Sequence, residues 1–462
     1  MVNLFRHYVP LATILQLALE AGLFFAAILL AVMMQTHSTL LSSSLPILPA
    51  FAFAALMVCV NSALGLYRRD SAPSFSHMAP RLLVALLIGF PLAYALFSAL
   101  PHGGLYQDAL GYTVLLVLAG LLILRRVLSA SILGGTLLSR RVLILGTGAD
   151  ALAVDQALMG PRGSGYTVVG FYPISNNVNV SVPQHRVLQP VESLQSLIRY
   201  LAVDEVIVAV REQRGGVVPM SCLLNCRLEG VRVTDLPGFY ERVRGEVPIE
   251  SLKASWLIYG EGFRQGRMRN IVKRAFDVAT AGTLLVLTFP LMVLVALTIL
   301  FEGGGAVIYR QERVGRGGRP FTVYKFRSMV ADAEGDGQAR WAQTNDPRVT
   351  AFGKFIRRTR MDELPQLWNV LKGEMSFVGP RPERPQFVGE LEQSIPYYGA
   401  RHSVKPGLTG WAQVRYSYGA SVEDATRKLQ FDLYYVKNHS LFLDLLVLVE
   451  TVRVVLWGEG AR

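Results

Sequence analysis

The sequence predicts a membrane protein in which a four-helix transmembrane bundle is followed by a doubly wound α/β domain, and then by a second α/β domain anchored on a re-entrant membrane helix. Three observations predict it. Apolar residues in the first third collect into four stretches near the ~20 residues that cross a bilayer as a helix. A strand running into a glycine-rich turn follows at Arg140–Ala151. A later apolar run carries a proline near its centre and basic residues on both flanks.

The composition agrees. Of 462 residues 51% are hydrophobic and 17% charged, with a net charge of +12, whereas soluble domains carry about 25% charged residues. A wholly soluble chain is disfavoured, and disordered and fibrous chains are excluded. The spans are expected at Leu11–Met34, Leu45–Tyr67, Leu82–Leu100 and Leu105–Leu124, making residues 1–130 the transmembrane domain. Gln35–Ser44 and Pro101–Gly104 contain neither Lys nor Arg, while Arg6, Arg68, Arg69, Arg81, Arg125, Arg126, Arg140 and Arg141 flank the opposite ends. This alternation places both ends of the bundle in the cytoplasm. Met1–Pro10 is weakly basic and no clear cleavage site follows it, so the first span is expected to be uncleaved. Asp108 belongs at the outer water interface. Glu20, near the middle of the first span, is a functional candidate as an intramembrane charge and a structural one if it faces another helix. Cys59, Cys222 and Cys226 give neither a disulfide framework nor a paired zinc motif, and read as buried thiols.

Residues 140–255 form the middle domain. Arg140–Ala151 reads as a buried strand entering Gly146-x-Gly148-x-x-Ala151 and a helix, the opening of a Rossmann-like unit. Strands are expected at Tyr166–Tyr172, Glu205–Val210 and Val231–Asp235, a helix over Val191–Ala202, and a loop over Ser175–Val182. The acid that would hold a ribose hydroxyl after the second strand is missing, since the chain reads Val-Gly-Phe-Tyr-Pro there. A scaffold or regulatory role is therefore expected rather than dinucleotide chemistry.

The run Phe276–Phe301 is long enough to span, with Lys273 and Arg274 before it and Arg310, Arg313, Arg316 and Arg319 after it. A single crossing would strand one basic cluster outside. Pro290 removes a backbone hydrogen bond and bends a helix. Residues 268–302 are thus expected to enter and leave by the cytoplasmic face, keeping residues 303–462 on that side.

The last third carries the chemistry. In Arg319–Arg327, positions Phe321, Val323, Lys325 and Arg327 share one strand face. Asp362 is placed to cap a helix that starts at Glu363, tolerates Pro365 in its first turn and ends at Lys372-Gly373. A carboxylate at a helix N-terminus, flanked by Arg357, Arg358 and Arg360, is kept ionised where N–H groups attract phosphate. An ionised aspartate beside bound phosphate can act as a nucleophile. Glu363 points about 100° away around that helix and is free to hold a divalent cation. Gly379-Pro-Arg381-Pro-Glu383 mounts an arginine between two prolines, a rigid phosphate clamp.

From Lys273 onward the chain resembles the bacterial polyprenyl-phosphate hexose-1-phosphate transferases. Seven ordered blocks carry the resemblance: Lys273-Arg-x-Phe-Asp277, Tyr309-Arg-Gln-Glu-Arg-Val-Gly315, Lys325-Phe-Arg-Ser-Met329, Asp362-Glu-Leu-Pro-Gln366, Gly379-Pro-Arg-Pro-Glu383, Lys405-Pro-Gly-Leu-Thr-Gly-Trp-Ala-Gln413 and Asp432-Leu-Tyr-Tyr-Val-Lys-Asn438. The first 260 residues also look like the large, exopolysaccharide-associated members. The resemblance implies that Asp362 attacks the β-phosphate of a UDP-sugar, releasing UMP, and that undecaprenyl phosphate then takes the phosphosugar. It implies Mg²⁺ on Glu363, and substrate contacts from Lys325, Arg327, Arg357, Arg381, Glu383 and Asp432. It makes the helix around Pro290 the membrane anchor, although Phe289 stands where the family commonly has Ser. Glucose and galactose are the expected sugars, and a homodimer is allowed.

Rival readings are weaker. None of the 18 tyrosines has Lys four residues on, as a nucleotide-sugar dehydratase requires, and no Asp-x-Asp of a conventional glycosyltransferase occurs. A non-catalytic membrane scaffold is the remaining alternative, and intact Asp362, Glu363 and Arg381 argue against it. His102, His185, His402 and His439 lack ligand spacing. Ser440–Trp457, interrupted by Asp444, Glu450 and Arg453, is expected to be an interfacial helix. The positive charge reads as flanks facing anionic membrane lipid and as arginines facing a sugar diphosphate, with no role for nucleic acid.

Overall fold

The computed structural model describes residues 2–4, 7–36, 47–67, 75–101, 103–129, 139–160, 165–174, 180–189, 193–210, 218–252, 257, 262–263, 266–303, 305–330, 346–416, 419 and 421–457. Arg6, Arg68, Arg69, His102 and residues 37–44 and 175–179, which the sequence assigns to loops, lie outside them. The chain forms two compact units, one of Met1–Asn3 and Tyr8–Arg244, the other of Leu4–His7 and Gly245–Arg462. Two short strands, β1 (Val2–Leu4) and β2 (His7–Val9), open the chain.

In the first unit, α1 (Leu11–Thr36), α2 (Ile47–Ala63), α3 (Phe75–Ser98), the short α4 (Gly104–Asp108) and α5 (Leu110–Ser129) surround one core. Its largest buried side chains are Phe24, Phe53, Phe97 and Tyr106. The fourth expected stretch divides into α4 and α5 around Ala109. Gly120 lets α5 approach α1, since a Cβ there would meet Leu23 Cδ1 at 2.4 Å, the small-residue contact typical of helices packed in lipid. Apolar side chains also point outward, with Leu87 73%, Leu115 65% and Ile123 65% exposed. Helices apolar on both faces belong in a membrane. Thr13–Gln35 and Arg81–Ser98 are long and apolar enough to cross one, whereas Ile47–Ala63 and Leu110–Leu124 are shorter apolar helices. Glu20 is fully buried and accepts from Gln16 Nε2 at 3.1 Å and Asn61 Nδ2 at 3.4 Å. It faces another helix, the structural arrangement.

The α/β part of this unit comprises β3 (Arg140–Leu145), α6 (Ala149–Met159), β4 (Tyr166–Tyr172), α7 (Leu194–Tyr200), β5 (Glu205–Val208), α8 (Met220–Leu228), β6 (Arg232–Asp235) and α9 (Leu236–Val243). The sheet is parallel in the order β4-β3-β5-β6. Each face carries its own core, one built on Val142, Ile144 and Phe239, the other on Leu143, Leu145 and Ile198. Gly146 has φ +119°, and a Cβ there would meet the Ala209 carbonyl oxygen at 2.9 Å, so the glycine serves the turn itself. Helix α7 starts later than the sequence suggests because the Ser193 hydroxyl caps it, accepting from Ser196 N.

The second unit begins with Gly245–Leu252, which the sequence groups with the middle domain. Trp411 Nε1 donates to Gly245 O at 2.8 Å, and Val247, Ile249 and Leu252 enter this unit's core. Then come α10 (Arg267–Glu302), β7 (Ile308–Val314), β8 (Pro320–Phe326), α11 (Ala351–Arg358), α12 (Gln366–Lys372), β9 (Ser376–Val378), α13 (Pro385–Ser394), β10 (Gly407–Thr409), α14 (Trp411–Arg415), α15 (Val422–Asn438) and α16 (Leu441–Trp457). β7 and β8 form an antiparallel hairpin, and β9 and β10 a parallel pair. α10 is helical through Pro290. In α16 the polar interruptions turn inward: Asp444 and Arg453 are 1% and 7% exposed, and Leu445, Val452 and Val455 form the outer face.

Candidate active site

Three distant segments converge on one carboxylate. Lys325, near the end of β8 and opposite Tyr309 on β7, places Nζ 3.1 Å from Glu363 Oε1. Arg381 Nη2 donates to the same oxygen at 2.9 Å, and Arg360 Nη1 lies 3.9 Å away. Asp362, 8% exposed, stands beside Glu363, and its Oδ1 is buried with no hydrogen-bond partner.

The backbone that presents the two acids differs from the sequence expectation. Asp362 does not cap a helix. Arg360 adopts φ +58°, and Met361–Glu363 form a single tight turn in which Glu363 N bonds Arg360 O at 3.2 Å and Leu364 N bonds Met361 O at 3.2 Å. α12 starts only at Gln366, after Pro365, whose missing N–H costs nothing at a first turn. It ends as expected at Lys372, with Gly373 at φ +88°. The helix-terminus field invoked for Asp362 is therefore absent, and side-chain cations take its place.

Those cations treat the two acids differently. Burial, together with Glu363, pushes the Asp362 carboxyl up to about 6, against the pull of Lys325, Arg360 and Arg357. Burial acts on Glu363 too, but Arg381, Lys325 and Arg360 overcome it and hold that carboxyl well below the usual range. Burial lowers Lys325, with Glu363 opposing. Glu363 is thus held ionised among its cations, while Asp362 keeps an oxygen, Oδ1, with no hydrogen-bond partner. A nucleophile needs an unengaged oxygen of this kind.

The remaining expected residues divide. Arg357, in the last turn of α11, acts on Asp362 electrostatically. Arg327 does not join the cluster: Nη2 donates to Ile299 O at 3.1 Å and also to Gly303 O, satisfying the end of α10. β8 stops at Phe326, so the strand alternation that would have aligned Arg327 with Lys325 no longer applies. Glu383 lies 3.6 Å from Arg313 Nη1 through Oε2. Asp432, 2% exposed, pairs with Arg401 at 2.7 Å. Burial raises its carboxyl to about 6 against that arginine. Arg401 was missed by sequence reasoning, and Arg313, although inside the Tyr309–Gly315 block, was read only as a basic flank of the apolar run. Among the described residues no three His, Cys, Asp or Glu side chains form a metal cage. Asp362 Oδ1, buried and unpartnered, nevertheless suits a magnesium ion of the type held by one or two carboxylates and substrate phosphates; Glu363 Oε1 already receives Lys325 and Arg381, so Glu363 would reach such an ion through its other oxygen.

Comparison with known proteins supplies the family. A family model described as bacterial sugar transferase matches residues 268–458. The UDP-N-acetylgalactosamine-undecaprenyl-phosphate N-acetylgalactosaminephosphotransferase of Aeromonas hydrophila is 43% identical over 240 residues, 52% of this chain and 56% of that protein. The UDP-glucose:undecaprenyl-phosphate glucose-1-phosphate transferase of Escherichia coli (strain K12) is 42% identical over 187 residues, 40% of each. These two matches span about half or less of the relative's length. The UDP-galactose-lipid carrier transferase of Erwinia amylovora matches further, at 34% identity over 355 residues, 70% of this chain and 69% of that protein. With that coverage, and with the matched segment containing the whole cationic cluster around Glu363, the chain belongs to the bacterial sugar transferase family.

Proposed function

We propose that the protein transfers a sugar 1-phosphate from a UDP-sugar to undecaprenyl phosphate at the cytoplasmic face of the bacterial inner membrane, the first membrane step of a polysaccharide. The observation that carries this reading is the unpartnered, buried Asp362 Oδ1 beside Glu363 and its cations. The Asp362 carboxylate attacks the β-phosphorus; the bond from that phosphorus to the oxygen bridging it to the α-phosphate breaks, and UMP leaves with the electron pair. A phosphate oxygen of undecaprenyl phosphate then attacks the aspartyl-bound phosphorus and frees the carboxylate. Lys325, Arg381 and Arg360, assembled on Glu363, offset the phosphoryl charge. Mg²⁺, held by Asp362 and Glu363, would supply further neutralisation of the diphosphate.

The membrane arrangement follows the same reading: four spans in the first unit, and a re-entrant α10. A straight 36-residue helix would run ~54 Å. Yet both of its ends are tied to one unit. Arg274 donates to Val370 O and Leu371 O at 2.6 Å, and Phe377 N donates to Asp277 at 3.1 Å. Arg327 holds the other end. Between them Val286, Leu287 and Phe289, beside Pro290, are 74%, 70% and 61% exposed, apolar surface suited to lipid on a helix that stays continuous through the proline.

The test uses purified protein with undecaprenyl phosphate, Mg²⁺ and a panel of UDP-sugars including glucose, galactose and N-acetylgalactosamine. Stoichiometric UMP and labelled protein are expected when the lipid acceptor is withheld. Asp362→Asn should lose turnover by roughly 10⁴-fold or more; normal turnover would rule out the covalent route.

A further inference from the structure

The loop that carries Arg381 is held at each carbonyl from Pro380 to Glu383. Gly407 N donates to Pro380 O at 2.9 Å, Arg401 Nη2 to Arg381 O at 3.0 Å, Arg313 Nη1 to Pro382 O at 3.1 Å, and Val314 N to Glu383 O at 2.9 Å. Pro380 and Pro382 have no N–H, and each restricts the residue before it. The path of Arg381 is therefore set by the groups that hold these carbonyls.

Arg401 is the buried side chain of that set. It is 5% exposed, its Nη1 lies 2.5 Å from the Tyr398 hydroxyl, and its Nη2 lies 2.7 Å from Asp432 Oδ2. Asp432 is 2% exposed. Its carboxylate is engaged by the Arg401 guanidinium, whereas Asp362 Oδ1 has no partner. A buried pair of this kind adds little stability over apolar residues of the same volume, so fold stability alone does not account for it. What apolar residues cannot do is donate to the Arg381 carbonyl while holding a fixed direction.

We propose that Arg401 is a positioning residue for Arg381 and that Asp432 works through Arg401: the buried pair fixes the Arg381 carbonyl, and the proline-bounded residue then keeps its guanidinium on Glu363. This rests on the phosphosugar transfer proposed above. Asp432 thereby changes from a substrate contact to the outer end of a relay running Asp432, Arg401, Arg381, Glu363.

The test is a mutant cycle on the full chain, read as kcat and KM for the UDP-sugar and as thermal unfolding. The paired replacement Arg401→Met with Asp432→Leu should unfold at the wild-type temperature yet lose about 100-fold in kcat/KM, the scale of a displaced catalytic group. Adding it to Arg381→Ala should cost nothing beyond Arg381→Ala itself. Arg401→Lys, which keeps one donor, should recover part of the loss. If the paired variant unfolds early, Arg401→Lys at native stability decides by the same cycle with Arg381→Ala. Multiplicative losses, or wild-type kcat/KM in the paired variant, would overturn the relay while leaving the transfer reaction standing. No UMP from the wild type with any UDP-sugar of the panel would overturn both.

Discussion

Folding holds the Asp362 carboxyl in an environment that opposes its charge. Its ordinary value of 3.8 is raised to about 6, so the folded chain binds that proton more tightly than the unfolded chain does. The resulting penalty is absent below 3.8, grows as pH rises towards 6, and is complete above it. At 1.36 kcal/mol per unit it reaches about 3 kcal/mol. Asp362→Asn should therefore unfold at a higher temperature than the wild type at pH 7.5 in EDTA, and the gain should vanish near pH 4. Equal stability at pH 7.5 would show that the acid is not strained by its site. Under the proposed transfer reaction the same substitution is expected to remove turnover, so stability and function would oppose each other at this residue. Much of this site was legible beforehand, because Asp362, Glu363, Arg357, Arg360 and Arg381 stand in two short segments dense in charge and proline. Arg401 and Arg313 were not. They act on backbone carbonyls 20 and 69 residues away, and a donor to a distant carbonyl leaves no local pattern.

At the scale of elements, periodicity placed the strands of the middle domain to within about two residues, whereas the apolar helices extend beyond their apolar runs, α3 starting at Phe75 rather than Leu82 and α10 at Arg267 rather than Phe276. The left-handed Arg360 converts an expected helix start into a separate turn, and composition does not signal positive φ in an arginine. α10 is the element whose reading has the largest consequence. Arg274 and Asp277 tie its start, and Arg327 ties its end, to the same unit. A Cys placed at Arg319, in a protein with Cys59, Cys222 and Cys226 replaced by Ser, should resist an impermeant thiol reagent in intact cells. It should label fully once the membrane is opened. Labelling from outside would make α10 a crossing helix and place Glu363 and Arg381 on the wrong side for a cytoplasmic donor.

For the molecule as a whole, the chain changes units between Arg244 and Gly245, not where the middle domain's pattern fades. The segment Gly245–Leu252 carries no strong periodicity. Its allegiance is decided by contacts from the far end of the chain: Trp411 Nε1 donates to Gly245 O at 2.8 Å and Val247 N to Gln430 O at 3.0 Å. Val247, Ile249 and Leu252 are 0%, 8% and 8% exposed. Burying three such side chains contributes roughly 4 kcal/mol or more, and losing Gly245 leaves the buried Trp411 indole N–H without its acceptor. A chain that starts at Gly245 should therefore be measurably more stable in detergent than one that starts at Gly266, by about 10 °C in Tm for a unit of this size. Equal midpoints would mean that the segment is an appendage, and that the unit is complete within the residues 268–458 matched by the family model.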